Sequence, residues 1–345
     1  MTAQASPASS PEVPVPAARA RGRDTGLSAP VTAPDGHPAQ LFEPTTARQL
    51  APRRRMRRAR HRLVPWLYLS PVLIFIGVFK LWPTIWGIYL SFFHVRPYLG
   101  NQYVAGANYQ RAFSDPDLRA AALHTVLDTI GAVAGSILVG FALALLFEGP
   151  ARHLRILRTA VFLPTVVAMV AAASLWQTLL YPSSYGAVNS LLGAFGLGPA
   201  PFLSSTHSSL ASVILIQVWK NAPYDMVIFV AGLAGIDRQL YEAAHIDGAG
   251  AWQRLRYVTL PSLRPITTIV LTLGIIRGLR VFTEIWVATS GGPAGSTQSV
   301  VTYIYQQFSE NNDAGYAAAI GTLLLAVTIV LTCLNLWWRN RREAW

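Results

Sequence analysis

Between Gly235 and Pro265 the chain reads GIDRQLYEAAHIDGAGAWQRLRYVTLPSLRP. Apolar stretches flank it, at about 209–235 and 262–288. Each is long enough to cross a hydrocarbon layer of ~30 Å, which takes ~20 residues of helix. The quoted segment is therefore a polar connection between two spans. It reads as two short helices. Asp237 is placed to cap the first by accepting from free backbone N–H groups, and that helix is expected to run to about Ile246. Asp247-Gly248 supplies a tight turn, because Gly takes positive φ without steric cost. A second amphipathic piece follows, with Trp252, Leu255 and Val258 near one face. Pro261 is expected to restart a helix where its missing N–H costs nothing. Ala243, Ala244, Gly248 and Ala249 make a small-residue patch that another protein can approach closely.

Working outward, the same apolar pattern recurs. Segments at about 63–93, 120–147, 157–181, 209–235, 262–288 and 316–338 give six candidate spans. The first carries Lys80 and Pro83 and reads as one tilted or kinked helix. Hydrophobic residues make up 52% of the 345 and charged residues only 13%, about half the usual share. Mean hydropathy is +0.36. A soluble protein with one mixed core does not have this composition. The fold class expected is all-α: a polytopic membrane helix bundle of six transmembrane helices, with a connecting segment at 236–261 between helices four and five that is either an ordinary surface loop or a surface on which another protein docks.

The arginines orient the bundle, since cytoplasmic loops collect them. Pro52 to Arg62 reads PRRRMRRARHR, and a contact with anionic lipid is compatible with that flank. Arg152, Arg155 and Arg158 lie in one loop, Arg238, Arg254 and Arg256 in another, and Arg339, Arg341 and Arg342 in the tail at 339–345. The loops at 182–208 and 289–315 contain no Lys or Arg; the 94–119 loop, with Arg96, Arg111 and Arg119, is a mild exception. Both termini are expected in the cytoplasm of a bacterium, with the bundle (63–338) in its plasma membrane. The net charge of +12 is thus a membrane flank pattern, not a nucleic-acid footprint. Residues 1–52 are rich in Ala, Pro, Ser and Thr without apolar periodicity, so 1–62 is expected to be a disordered, finally basic tail. No apolar stretch precedes residue 63, which argues against a secretory signal. The single Cys333 sits in a late apolar run and is expected to pack there.

Enzyme chemistry finds no foothold. The G-x-x-x-x-G-K-[ST] phosphate loop, H-E-x-x-H and G-x-S-x-G are all absent. The seven histidines are scattered. No catalytic residue, metal ligand set or bound cofactor is expected in this chain. Movement of a solute or signalling remains.

The connecting segment also carries a resemblance. LYEAAHIDGAGAWQRLRYVTLP resembles the E-A-A loop of permease subunits of bacterial ATP-binding-cassette importers. The matching residues are Glu242, Ala243, Ala244, Asp247, Gly248 and Ala249. Trp219 to Pro223, Ala231-Gly232-Leu233, Arg158-Thr159 with Phe162-Leu163-Pro164, Gly186 with Asn189, and Ser290-Gly291-Gly292-Pro293 with Thr297 are similar to further family motifs. Tyr303-Ile304-Tyr305 follows the Gly-Gly-Pro loop as in the maltose and glycerol-phosphate type. His245, inside the E-A-A loop, and Glu284, where Asp or Asn is common, depart from the pattern. The resemblance implies that the segment is a coupling helix docked on an ATPase. It implies two ATPase subunits that bind ATP and Mg, a second homologous permease in a heterodimer, an extracytoplasmic solute-binding protein, and a sugar as cargo.

Ionisable residues inside spans are costly and are functional candidates by default. Span four carries Lys220 and Asp225; span five carries Arg277, Arg280 and Glu284. Arg280 and Glu284 share a helix face at i, i+4, which suggests an internal ion pair. The other reading is a polar passage for a hydroxyl-rich solute, formed by Lys220, Asn221, Tyr224, Arg280 and Glu284, with Phe282 or Trp286 stacking on a sugar face. His124 and Asp128 read as a packing pair in span two, and Gly131, Gly135 and Gly140 as close helix contacts. The intramembrane charges also admit a different class, an autonomous ion-coupled carrier or channel. Such a carrier has no need of a long docking motif.

The tail has neither packing pattern nor partner motif. Deleting residues 2–50 while keeping Arg53 to Arg62 is expected to leave uptake and membrane level near normal, measured by solute uptake and immunoblot of membranes. Lost uptake at unchanged membrane level would contradict this.

Overall fold

The computed structural model describes residues 65–96, 100–149 and 151–342. The 1–62 tail and the end of the C-terminal tail lie outside them. From Leu69 onward the described residues form one compact unit. It is helical, apart from a two-stranded antiparallel hairpin pairing Phe93 with Tyr103 and His94 with Gln102.

Four helices are long and apolar enough to cross a membrane alone: Pro65–Leu90, Pro116–Leu146, Ser209–Ala234 and Ala314–Trp337. Two bent pairs pass the same test together, Arg152–Val166 with Met169–Leu179, bent by 96°, and Ala251–Ser262 with Arg264–Leu279, bent by 65°, which gives six spans when each pair is counted as one. The first span is one helix, as expected, with a π-turn at Gly77–Leu81 beside Lys80. The expected third span at 157–181 is not straight. Pro164 removes one ladder bond, and extended backbone at Val167 and Ala168 ends the helix. The expected fifth span at 262–288 is shorter: it stops at Leu279, and Thr283–Thr289 is a separate helix.

Half of the apolar window of Ser209–Ala234 is buried, against none for Pro65–Leu90. Span four is therefore the centre, and the first span lies at the edge. Spans two and four pack through glycine. A Cβ on Gly131 or Gly135 would meet Ile214 or Val218 at 2.7 and 2.5 Å, and one on Gly140 would stand 2.8 Å from the Ala222 carbonyl oxygen. Span five joins through Gly278, where a Cβ would stand 2.6 Å from Thr129. Small residues at such positions let backbones approach where no hydrophobic force separates protein from lipid. Cys333 is exposed on the last span, so among the described residues the expected packing is not made within this chain.

Asp115 starts span two. Its Oδ1 caps the helix by accepting from the N–H of Asp117 at 2.9 Å, ahead of Pro116 in the first turn. Its Oδ2 accepts from the hydroxyls of Tyr303 at 2.7 Å and Tyr316 at 2.5 Å. One carboxylate thus joins three elements beside a core of Ala112, Leu118, Ala121 and Ile320. Burial raises its pKa, but the two tyrosine hydroxyls and the capped N–H groups outweigh this, holding the carboxyl below its usual range.

Gly140→Ala places a methyl where only backbone can yield, and overpacking of this kind costs about 1–3 kcal/mol. It is expected to lower the unfolding temperature in detergent, whereas Gly193→Ala, with nothing within 4 Å of the added carbon, is not. Equal unfolding temperatures would show that spans two and four have room to part.

Candidate substrate passage and docking segment

The central polar groups fall into three clusters. In the first, Arg277 of span five reaches span four. Its Nη2 donates to Asp225 Oδ1 at 2.8 Å and its Nη1 to Asn221 Oδ1 at 3.3 Å, while its guanidinium lies 5.5 Å from the centre of the Tyr224 ring. The Asp225 side chain is 1% exposed, so it depends on this partner. The expected Arg280–Glu284 pair is not made. The helix ends at Leu279 and restarts at Thr283, so the i, i+4 register is lost, and Arg280 is exposed at the break. The expected His124–Asp128 pair is not made either; Asp128 accepts from Gln217 of span four at 2.7 Å.

The second cluster is built on Lys220. Its ammonium donates to the carbonyl oxygens of Pro164 at 2.6 Å, Thr165 at 3.1 Å and Val167. These carbonyls are set free by the break in span three. Three N–H donors on a point cation suit three converging carbonyls. Lys220 is buried and also lies within electrostatic reach of Glu284.

The third cluster is aromatic. Phe282 and Trp286 stack with ring centres 5.8 Å apart and planes 10° from parallel. Tyr305 meets Trp286 edge-on at 4.6 Å. Glu284 lies in the first turn of the short helix between these rings. Tyr305, Gln217 and Arg277 were not selected as site residues from sequence. Tyr305 was visible as part of a motif, and Arg277 as an intramembrane charge; Gln217 had no signal beyond being polar in an apolar run. Among the described residues the space between spans two, four and five, lined by Ser136, Gln217, Asn221 and Arg277, holds only about 10 Å³. That is at the lower limit for one water, so the three spans pack closely around these polar groups.

The docking segment has the expected two helices. Arg238–Ile246 is capped by Asp237, which accepts from the Gln239 N–H at 2.9 Å. Gly248 turns the chain at φ +76°. The second helix, Ala251–Ser262, differs from expectation at Pro261. It runs through Pro261, helped by a π-turn at Leu255–Thr259, and bends only at Leu263. Pro265 then opens the span. The Tyr241 hydroxyl and Thr259 Oγ1 lie 2.9 Å apart and tie the two helices together. Leu263 is 1% exposed and packs against span four, at 2.8 Å from where a Cβ on Gly232 would stand.

Residues 61–343 match the family described as the inner membrane component of binding-protein-dependent transport systems. The chain belongs to that family. A relative, the arabinooligosaccharides transport system permease protein of Bacillus subtilis, is 31% identical over 80% of this chain and 88% of its own length. A chain in the crystal structure of a bacterial ABC transporter involved in import of the acidic polysaccharide alginate superposes with a TM-score of 0.73 at 25% identity, covering 84% of this chain and 99% of that one. A second structure holds the bacterial alginate ABC transporter in complex with an alginate pentasaccharide-bound periplasmic protein, with a TM-score of 0.71, 25% identity and coverage of 81% and 94%. Family membership sets aside the autonomous carrier.

Arg277→Met leaves Asp225 buried without its partner. Loss of one member of a buried pair costs about 3–5 kcal/mol, while replacing both with apolar residues is far milder. Arg277→Met is therefore expected to unfold at clearly lower temperature than the wild type, and Arg277→Met/Asp225→Leu to recover most of the loss. No recovery would mean that Arg277 acts through other contacts.

Proposed function

We propose that this chain is the membrane-spanning permease subunit of an ATP-driven importer that carries a sugar, an oligosaccharide or a related polyol, into the cytoplasm. The observation that carries this reading is the Arg238–Ser262 segment. It presents Ile246, Trp252 and Tyr257 at 85%, 72% and 73% exposure. Large apolar residues exposed on this tied helical pair, ahead of the bend into Arg264–Leu279, are read as a partner surface. At Gly248 an added Cβ would meet nothing within 4 Å, which leaves the turn clear for a groove on another protein.

In this reading the partner is an ATPase. Glu242, Ala243, Ala244, Asp247, Gly248 and Ala249 form the contact, and ATP and Mg are held by two such ATPase subunits. A second homologous permease completes a heterodimer, and a solute-binding protein delivers sugar on the outer side. Both termini lie in the cytoplasm. The passage runs past Lys220, Asn221, Tyr224, Arg280, Phe282, Glu284 and Trp286 and opens alternately to either side. ATP and substrate drive the cycle through their different affinities for the two states. Movement of the docking segment reaches span five through Leu263, because the Tyr241–Thr259 contact makes the segment one piece. The alginate and arabinooligosaccharide relatives support sugar as the cargo.

Gly248→Asp tests the reading. A non-glycine residue in the left-handed region costs about 1–2 kcal/mol, and its side chain would project into the groove. The assembled transporter is expected to lose substrate-stimulated ATP hydrolysis and to retain less ATPase on the membrane, while the subunit still inserts. Glu242→Ala is expected to give a smaller, salt-sensitive loss. Full coupling in Gly248→Asp, at normal membrane level, would sink the docking role.

A further inference from the structure

The Ser290–Pro293 hairpin stands between two cavities, on the end of span four opposite the docking segment. One, of about 240 Å³, is lined by Trp286, Gln298, Gln306 and Glu310 among others. The other, of about 790 Å³, is lined by apolar groups such as Leu180 and Leu203 together with Gln177, Tyr181 and several hydroxyls, with no charged side chain. No lysine or arginine lines either cavity, and the loops that build them, 182–208 and 289–315, contain none. Of the arginines in the preceding loop, Arg111 pairs with Asp313 at 2.6 Å and Arg119 donates to the Phe113 carbonyl; Arg280 is exposed at the break before Phe282 but lines neither cavity.

We propose that these cavities form a subsite for an uncharged, hydroxyl-rich saccharide and select against acidic sugars. The proposal rests on the import reading and narrows its cargo. The smaller cavity has room for ~8 waters at ~30 Å³ each, which matches one sugar ring with its hydroxyls. Trp286 is covered on one side by Phe282 and borders the cavity with its remaining surface, a platform for the apolar face of a ring. Gln298 donates its Nε2 to Gln306 Oε1 at 2.6 Å. That leaves the Gln298 Oε1 and the Gln306 amide NH₂ to accept from and donate to sugar hydroxyls. Glu310 accepts from a hydroxyl and repels a carboxylate. An acidic sugar here would lose hydration without gaining a cation, so the rejection comes from what the walls lack as much as from what they offer.

The full chain in lipid nanodiscs is titrated with maltotriose and with a trimer of mannuronate, and binding is read by saturation-transfer NMR. Maltotriose is expected to bind at least tenfold tighter than the mannuronate trimer. Gln306→Ala is expected to weaken maltotriose binding at an unchanged unfolding temperature. Glu310→Lys sits at an exposed helix C-terminus, where a cation is tolerated, and is expected to cut the preference by about tenfold through the two-unit charge change. Equal binding of both trimers, a preference unmoved by Glu310→Lys, or no binding of either would overturn the subsite. Substrate-stimulated ATP hydrolysis by the same transporter, intact in that case, would show that the import reading survives.

Discussion

A broken helix inside a bilayer leaves backbone carbonyls that neither water nor lipid can satisfy, and this requirement governs the centre of the molecule. Span three breaks by 96° after Val166. The carbonyls of Pro164, Thr165 and Val167 then turn to one ammonium, that of Lys220. The cation comes from span four, the most buried helix. The break is thereby tied to the element that also holds Asp225, Asn221 and Gln217. A charge that looks costly when viewed alone is the group that makes the break tenable.

The same helix then distributes its other polar side chains to its neighbours. Gln217 donates to Asp128 of span two, and Asp225 and Asn221 take Arg277 of span five. Between these contacts lie the glycines, where side chains would part the backbones. Close approach and polar pairing thus depend on each other. The glycines bring spans four and five onto span two, beside the Arg277–Asp225 pair that joins them to each other. Without the pairs, the charges would oppose burial.

Much of this was legible in the residues. Six apolar segments gave the spans, and the cap at Asp237, the end of its helix at Ile246 and the turn at Gly248 followed from local chemistry that tertiary contacts did not override. The failures share a cause. The pairs Arg280–Glu284 and His124–Asp128 were assigned by assuming unbroken helices and partners on the same helix. In the fold, the break at Arg280 destroys one register, and Asp128 finds a better donor on the next span. Pro261 looked like a restart, yet the bend falls at Leu263 because Leu263 is the residue that packs on span four. Spacing along one chain segment does not encode which neighbouring helix arrives with a competing donor.

The two ends of span four therefore carry different kinds of surface. At one end a tied helical pair exposes Ile246, Trp252 and Tyr257, which suits an apolar groove on a protein. At the other, the cavities are lined by hydroxyls, amides, aromatic rings, apolar groups and the carboxylate of Glu310, with no lysine or arginine. The centre is filled, with only about 10 Å³ between spans two, four and five. Leu263 connects the docking pair to span four at the point where span five begins. Further along these two spans Arg277 joins span five to span four again, through Asp225 and Asn221.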